Sequence, residues 1–414
     1  SYLPSSMSKK THHPKRYRVL GSLILAASLF AACGDDSSSD VEETTVDTAT
    51  IADTETTMAE ATEETTAADT AATGEACTPD QEIIDAAKTE GQVNLIALPD
   101  NWANYKGILE AFRTKYPEVK NPVANPDASS ADELTAVETL KGQPDMPDAL
   151  DVSPAIAQEV DTKGLWEPYK PCSWDEIPEN MKDAEGKWVA AYYGIMAIGA
   201  NTTIVTDGAP KSFADLKDPK YKGKVSLNGD PREAGAAFAA VMAASIANGG
   251  SFDDILPGIE YFAELKELGN LAGTDVTEAT VISGETPIWL DWTYNYPGLA
   301  PTLEENGITW EINVPSDGVY GGYYAQGAVK DSPHPNAAKL WIDHIISDEG
   351  ALGYIQGGAV PARYAALVAA GKVTDEMKKN MPADELVAKV AFPSQDQIAK
   401  AKEVLAEQWP TLVG

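Results

Sequence analysis

The sequence contains few of the residue types on which most enzymes and metal proteins depend. Its 414 residues include 3 cysteines and 4 histidines, and the histidines beyond the N-terminal segment, His334 and His344, lie late in the chain. A glycine-rich phosphate loop and a Gly-x-Ser-x-Gly nucleophile motif are both missing from it. The sequence therefore argues against nucleotide and serine-hydrolase chemistry, and no cofactor or metal is expected.

Positive charge is also scarce. Lysine and arginine total 31 against 64 aspartates and glutamates, so the net charge is −33. Because phosphate groups repel such a chain, nucleic acid and anionic lipid are excluded as partners that bind by charge. The composition agrees with a cationic ligand, and a generally acidic proteome would give the same composition.

Long hydrophobic runs are limited to the N-terminal segment. Residues 19–32 form an apolar run that follows a basic stretch and is too short for a comfortable transmembrane helix. It ends in Leu-Phe-Ala-Ala-Cys-Gly, which resembles a bacterial lipoprotein signal whose cysteine, Cys33, becomes the lipidated N-terminus. We therefore predict a signal peptide over residues 1–32 and a lipid-anchored, extracytoplasmic protein. A secretory signal with an unlipidated Cys33 is the alternative.

The segment after the signal lacks the large apolar residues that a core requires. Residues 33–76 are rich in Thr, Ala, Ser, Asp and Glu and hold no Lys or Arg, which is typical of a disordered, self-repelling tether. Two cysteines remain, Cys77 at the start of the body and Cys172. In an oxidising compartment we expect them to form a disulfide, and two separate thiols are the alternative.

The body begins with the element order of an α/β fold. Thr-Pro-Asp-Gln at residues 78–81 predicts a helix start with Thr78 as its cap. Residues 93–98 predict a buried strand, and a polar loop and a second helix follow. Ligands of such folds gather at the carboxyl ends of the strands, where the loop Asn-Trp-Ala-Asn-Tyr places Trp102 and Tyr105.

An aromatic segment at residues 288–296 reads Ile-Trp-Leu-Asp-Trp-Thr-Tyr-Asn-Tyr. Aromatic faces attract a cation, and a carboxylate accepts its N–H bonds. The segment therefore predicts a site for an organic ammonium ion at Trp289, Asp291 and Trp292. The alternative is a strand edge with aromatic core residues and a solvated aspartate.

Several segments resemble the spermidine- and putrescine-binding proteins of ABC importers. They are Asn-Trp-x-x-Tyr at residues 101–105, Asp-Pro-Arg-Glu at 230–233 and Trp-Leu-Asp at 289–291. Residues 211–224 resemble a structural segment of the same importer proteins. A helix N-terminus that favours acids is the alternative for Glu233. With Ser153 at a strand end and the tyrosines of a glycine-rich segment, the predicted solute-binding residues are Trp102, Tyr105, Ser153, Asp230, Glu233, Trp289, Asp291, Trp292, Tyr320 and Tyr323.

The resemblance implies an α/β, two-lobed periplasmic-binding-protein fold of type II, with crossover strands and a hinge between the lobes. Residues 77–196 and 316–357 are predicted to form lobe one. Residues 197–315 are predicted to form lobe two, with the helices of residues 358–414 packed on it.

The function implied is that of a lipid-anchored, monomeric solute receptor and not of an enzyme. It would pass a small cationic solute, a polyamine, to an ABC permease and its ATPase. Ferric-ion binding by the adjacent Tyr323 and Tyr324 is one alternative. A secreted hydrolase built on paired carboxylates is another. An anionic phosphonate would require arginines or helix N-termini in place of the carboxylates.

Overall fold

The computed structural model describes residues 76–414. Its α-helices are α1 Gln81–Glu90, α2 Tyr105–Lys115, α3 Ser130–Thr139, α4 Pro154–Thr162, α5 Gly235–Ala247, α6 Leu256–Glu267, α7 Glu278–Ser283, α8 Asn295–Glu305, α9 Pro335–Ile346, α10 Asp348–Gln356, α11 Tyr364–Ala369, α12 Asp384–Lys389 and α13 Gln395–Leu412. Its strands are β1 Leu95–Ile96, β2 Val123–Ala124, β3 Ala149–Val152, β4 Trp166–Glu167, β5 Tyr192–Asn201, β6 Val225–Leu227, β7 Ile288–Trp292, β8 Trp310–Asn313, β9 Gly321–Tyr323, β10 Ala325–Val329 and β11 Val360–Pro361.

The strands form three sheets. Strands β1 and β2 pair in parallel, and β10 lies between β3 and β4 as the centre of an antiparallel sheet. The largest sheet has the order β11-β5-β7-β6, and β8 and β9 also pair with β5. Strand β6 runs parallel to β7 and is joined to it through α5, α6 and α7, so the mixed α/β prediction is confirmed.

Strand β5 links the two ends of the largest sheet. All ten of its residues are buried. Its first half pairs with β9 and β11, and its second half pairs with β7 and β8. The apolar stretch of residues 188–201 therefore contains the long strand β5, which pairs with β7, β8, β9 and β11.

The first helix is capped two residues later than the sequence suggested. Asp80, and not Thr78, is the N-cap of α1, and its side chain accepts a hydrogen bond from the Glu82 amide at 3.0 Å. Aspartate and threonine both favour this position, so the Thr-Pro-Asp-Gln pattern indicated the helix but not its first residue. The helix ends at Gly91, which adopts a left-handed conformation with φ 75°.

A disulfide joins Cys77 to Cys172, whose Cα atoms are 5.9 Å apart although 95 residues separate them in the sequence. Close by, the carboxylate of Asp343 accepts hydrogen bonds from the Cys172 amide at 2.7 Å and from the Tyr169 hydroxyl. The covalent link therefore lies beside a buried acceptor that fixes the backbone around Cys172.

Some of the predictions concern residues outside 76–414. The signal peptide, the lipidated Cys33 and almost all of the acidic tether lie there, and the division into two lobes at the stated residues stays a prediction. Within residues 76–414, each helix is too short or too polar to cross a bilayer.

Candidate functional site

A cleft of about 760 Å³ lies between two walls of the body. Segments 97–102 and 126–130 contribute to the first wall, together with Glu133 and Asp151. The second wall comes from residues 233–236 at the start of α5, from residues 276–279 and from the end of β7. The walls approach each other at Gly298 of α8, where an added Cβ would lie 2.1 Å from the carbonyl oxygen of Asn101.

Asp151 is the buried carboxylate of the first wall. It lies on β3, and its Oδ2 accepts hydrogen bonds from the hydroxyls of Tyr105 at 2.5 Å and Tyr192 at 3.1 Å. Its Oδ1 accepts one from Nε2 of Gln326 on the paired strand β10 at 2.9 Å. Burial raises the pKa of Asp151 to about 6, and these three donors oppose the shift.

Glu133 is the second carboxyl group of this wall. It lies in the first turn of α3 and is 1% exposed, and its Oε1 accepts a hydrogen bond from the amide of Asp151 at 3.1 Å. Burial and the neighbouring Asp151 raise the pKa of Glu133 well above its ordinary value. The two carboxyl groups therefore lie close together, and the residues that line the cleft include no lysine, arginine or histidine to balance their charge.

Asp291 is the buried carboxylate of the second wall. It lies near the end of β7, and its side chain accepts hydrogen bonds from the amide groups of Asn228 at 2.8 Å and Asn295 at 2.9 Å. The backbone amide of Trp292 also donates to it, at 2.8 Å. Burial raises the pKa of Asp291 to about 6 despite these donors.

The indole of Trp102 lines the cleft and contacts aromatic residues of the body. Its Nε1 donates to the hydroxyl of Tyr192 at 2.8 Å, and its ring centroid is 5.4 Å from those of Tyr294 and Tyr324. The two residues after it, Ala103 and Asn104, have φ angles of 47° and 60°. Such left-handed non-glycine residues store strain and are common at ligand sites, and here they turn the chain directly behind the indole.

The charge of the cleft has one sign. Among its lining residues, none is lysine, arginine or histidine. The acidic residues that line it are Asp127, Glu133, Asp151, Glu233, Glu278 and Asp291. Several carboxylates beside aromatic rings form a site suited to an ammonium group. The carboxylates accept its charge-assisted hydrogen bonds, and the aromatic faces supply cation–π contact.

The structure brings Trp102, Glu233 and Asp291 together at this cleft, as the sequence predicted. Tyr105 is 1% exposed and lies behind the wall, where it orients Asp151. Asp230 does not line the cleft, because both of its carboxylate oxygens bind the guanidinium of Arg232 in its own turn. The sequence predicted Asp230 as a ligand of the solute, but the nearby Arg232 is its partner instead.

Two predicted tryptophans lie away from the cleft, which corrects the prediction. Trp289 is 0% exposed because Tyr296 of α8 packs over it, with ring centroids 5.2 Å apart. Trp292 follows Asp291 in β7, so its side chain points to the opposite face of the strand. The alternative of aromatic core residues is right for Trp289, whereas Asp291 is not a solvated aspartate.

The remaining predicted residues, Ser153, Tyr320 and Tyr323, line a small apolar cavity of about 40 Å³ behind the cleft, together with Trp292. Tyr323 stacks on Trp188 there, with centroids 5.8 Å apart. Of the adjacent tyrosines considered for ferric ion, only Tyr324 lines the cleft. Both tyrosines line the small cavity, so Tyr324 contributes to both spaces and Tyr323 to the small cavity alone.

Sequence reasoning missed Asp151, Glu133 and the two asparagines at Asp291. Asp151 lies two residues before Ser153, so the strand end was located but the wrong polar residue was selected. Glu133 is in an amphipathic helix start, Ser-Ser-Ala-Asp-Glu, where acids are ordinary first-turn residues. Only the position of α3 against β3 shows that this acid faces the cleft and not solvent.

Comparison with known proteins agrees with a binding cleft. Residues 145–400 match the family model described as a bacterial extracellular solute-binding protein. The chain belongs to this family. The predicted resemblance to importer solute-binding proteins is confirmed, and so is the prediction of a binding protein in place of an enzyme. An extracellular family agrees with the predicted extracytoplasmic location, whereas the lipid anchor stays a prediction.

Individual relatives of this solute-binding protein are distant. An uncharacterized protein of Haemophilus influenzae is 31% identical over 214 residues, which cover 48% of this chain and 57% of that protein. The match thus spans little more than half of that relative's length.

Solved structures show the fold. The periplasmic binding protein P5PA is 20% identical with a TM-score of 0.60, covering 78% of this chain and 100% of that one. A putative spermidine/putrescine ABC transporter from Listeria monocytogenes is 14% identical with a TM-score of 0.57, covering 77% and 98%. Iron-bound HitA from Pseudomonas aeruginosa is 20% identical with a TM-score of 0.54, covering 76% and 97%. The two-lobed periplasmic-binding-protein fold is therefore confirmed.

Proposed function

We propose that this solute-binding protein captures a polyamine, putrescine first and spermidine second, and delivers it to the permease and ATPase of an ABC importer. The observation that carries the proposal is the cleft itself, which has a buried carboxylate in each wall and no lysine or arginine among its lining residues. A solute with an ammonium group at each end satisfies both carboxylates at once.

The residues have separate roles in this proposal. Asp291 accepts the N–H groups of one ammonium, and Asn228 and Asn295 hold its carboxylate in place. Asp151 accepts those of the other ammonium and keeps its phenolic donors. Trp102 covers the methylene chain between them, because an indole face binds both apolar surface and positive charge. Glu233 supplies further negative charge at the mouth.

Burial explains why a paired cation is required. A carboxylate in a low-dielectric site is costly to ionise unless an opposite charge is close to it. The two aspartates with pKa values of about 6 are therefore poised to gain from an incoming ammonium group. A neutral or anionic solute brings no positive charge to stabilise the two ionised aspartates.

A thermal-shift panel tests the ligand class. Putrescine and spermidine are expected to raise the unfolding temperature, because a ligand that binds only the folded state stabilises it. Thiamine, ferric ion and aminophosphonates are expected to leave it unchanged. A shift with ferric ion or an aminophosphonate but with no polyamine would refute the proposal.

Polyamine affinity is expected to fall as the pH drops from 7.5 to 5. Both Asp151 and Asp291 have a pKa of about 6 in the free protein, and a bound cation lowers it. The contribution of these two aspartates to the affinity is therefore fully present well above pH 6 and is lost as the pH falls through that value. Titrations at a series of pH values check this, and an affinity that is constant over the range would contradict it.

Replacing Trp102 by alanine is expected to weaken putrescine binding by about 2 kcal/mol, because the cation–π contact and the cover of the methylene chain are lost. Trp174→Ala is the matched control, since Trp174 is also partly buried and packs against Lys170 and Lys182 outside the cleft. Isothermal titration should show the loss in the first variant alone. Equal affinities in both variants would remove Trp102 from the site.

A further inference from the structure

Glu133 presents one of its carboxyl oxygens to the cleft. Its Oε1 accepts the Asp151 amide, and within residues 76–414 this is the one hydrogen bond recorded for the side chain. The residue is 1% exposed and lines the cleft. Its other oxygen is not among the enclosed side-chain atoms of residues 76–414 that lack a hydrogen-bond partner, so it is open to the cleft, where a bound group can reach it.

The charged neighbours of Glu133 are all acidic. Asp151 of β3 is in direct contact, and Asp132 precedes it on α3. The cleft adds Asp127 from the loop before α3, with Asp291 and Glu278 from the opposite wall. No lysine, arginine or histidine lines the cleft to balance them.

Glu133 and Asp151 are close enough to compete for one proton, and they do not share it equally. Asp151 has three side-chain donors, whereas Glu133 has one backbone donor. Hydrogen bonds to the charged form stabilise it, and a like charge nearby disfavours a second ionisation. The negative charge therefore resides on Asp151, and Glu133 carries the proton.

We propose that Glu133 keeps its proton while the cleft is empty and releases it when an ammonium group of the solute binds, so that capture of each solute frees one proton. The step breaks only the O–H bond of Glu133. The proton passes to water, and the carboxylate formed accepts an N–H of the solute. This inference rests on the proposed cationic ligand and assigns Glu133 as a further residue that contacts it.

Calorimetry at pH 8 separates this proton from those of the aspartates. Asp151 and Asp291, with pKa values of about 6, are already ionised there. Putrescine is titrated into the full chain in phosphate and in Tris, whose ionisation enthalpies differ widely. The observed enthalpies are expected to differ between the two buffers in proportion to the protons released, and the affinity is expected to rise with pH wherever Glu133 of the free protein is protonated.

Glu133→Gln is expected to bind putrescine with the same enthalpy in both buffers. Glu138→Gln is the matched control on the same helix, since Glu138 pairs with Lys163 outside the cleft, and it should keep the buffer dependence. Wild-type binding with no buffer dependence, or release that persists in Glu133→Gln, would overturn the role of Glu133 and leave the polyamine proposal intact. Absence of any polyamine binding by the wild type would overturn the proposed function and this inference with it. The wild-type comparison remains decisive even where a variant fails to fold.

Discussion

Replacing Asp291 by asparagine is expected to weaken putrescine binding by roughly 2–5 kcal/mol, the usual result of removing one partner of a buried charge pair. The substitution keeps the shape and one acceptor oxygen, but it removes the negative charge from the second wall. A bound ammonium group would then lie in a desolvated cleft without its counter-ion. Isothermal titration at pH 7.5 measures the change.

Asp230→Asn is the matched control for this experiment. Asp230 is an aspartate of the same region, and its carboxylate is paired with Arg232 and does not line the cleft. Its affinity for putrescine should equal that of the wild type. The same affinity in Asp291→Asn, with both variants folded by circular dichroism, would show that Asp291 does not bind the solute.

Removing the disulfide with Cys77→Ala and Cys172→Ala is expected to lower the free energy of unfolding by about 4–5 kcal/mol, the value of the chain-entropy model for a loop of this length. The two cysteines are 95 residues apart in the sequence, so the link removes many conformations from the unfolded chain. Urea denaturation of the double variant beside the wild type measures the difference.

Wild-type protein treated with a reductant is the control for that change, because it loses the link without any substitution. It should unfold at the urea concentration of the double variant. A loss of stability below about 1 kcal/mol in both samples would show that the link contributes little beyond the packing around it.

The fold was predictable because its signals are local. The continuous apolar run at residues 188–201 is typical of a buried strand and contains β5, and the alanine-rich run after Glu233 is typical of a helix and forms α5. Each pattern depends on the period and length of one element, and each survives in the folded chain. The first cap was placed wrongly because Thr78 and Asp80 both satisfy the local rule.

The site was predictable only in part. Trp102 and Asp291 were found because an aromatic residue or an acid at a strand end is poorly explained by packing alone. Trp289 shares the face of β7 that carries Asp291, yet Tyr296 of the following helix covers it. Glu133 reaches the cleft only through the placement of α3 against β3. Such coverage depends on contacts between distant elements, which spacing along the chain does not encode.

The most direct measurement is calorimetric titration of the wild-type protein with putrescine and spermidine at pH 7.5, with 1,4-butanediol as the neutral analogue of putrescine. The acidic, aromatic cleft predicts saturable binding of one polyamine per protein and no binding of the diol. Absence of heat with both polyamines, or equal affinity for the diol, would contradict the proposal that the cleft recognises ammonium groups.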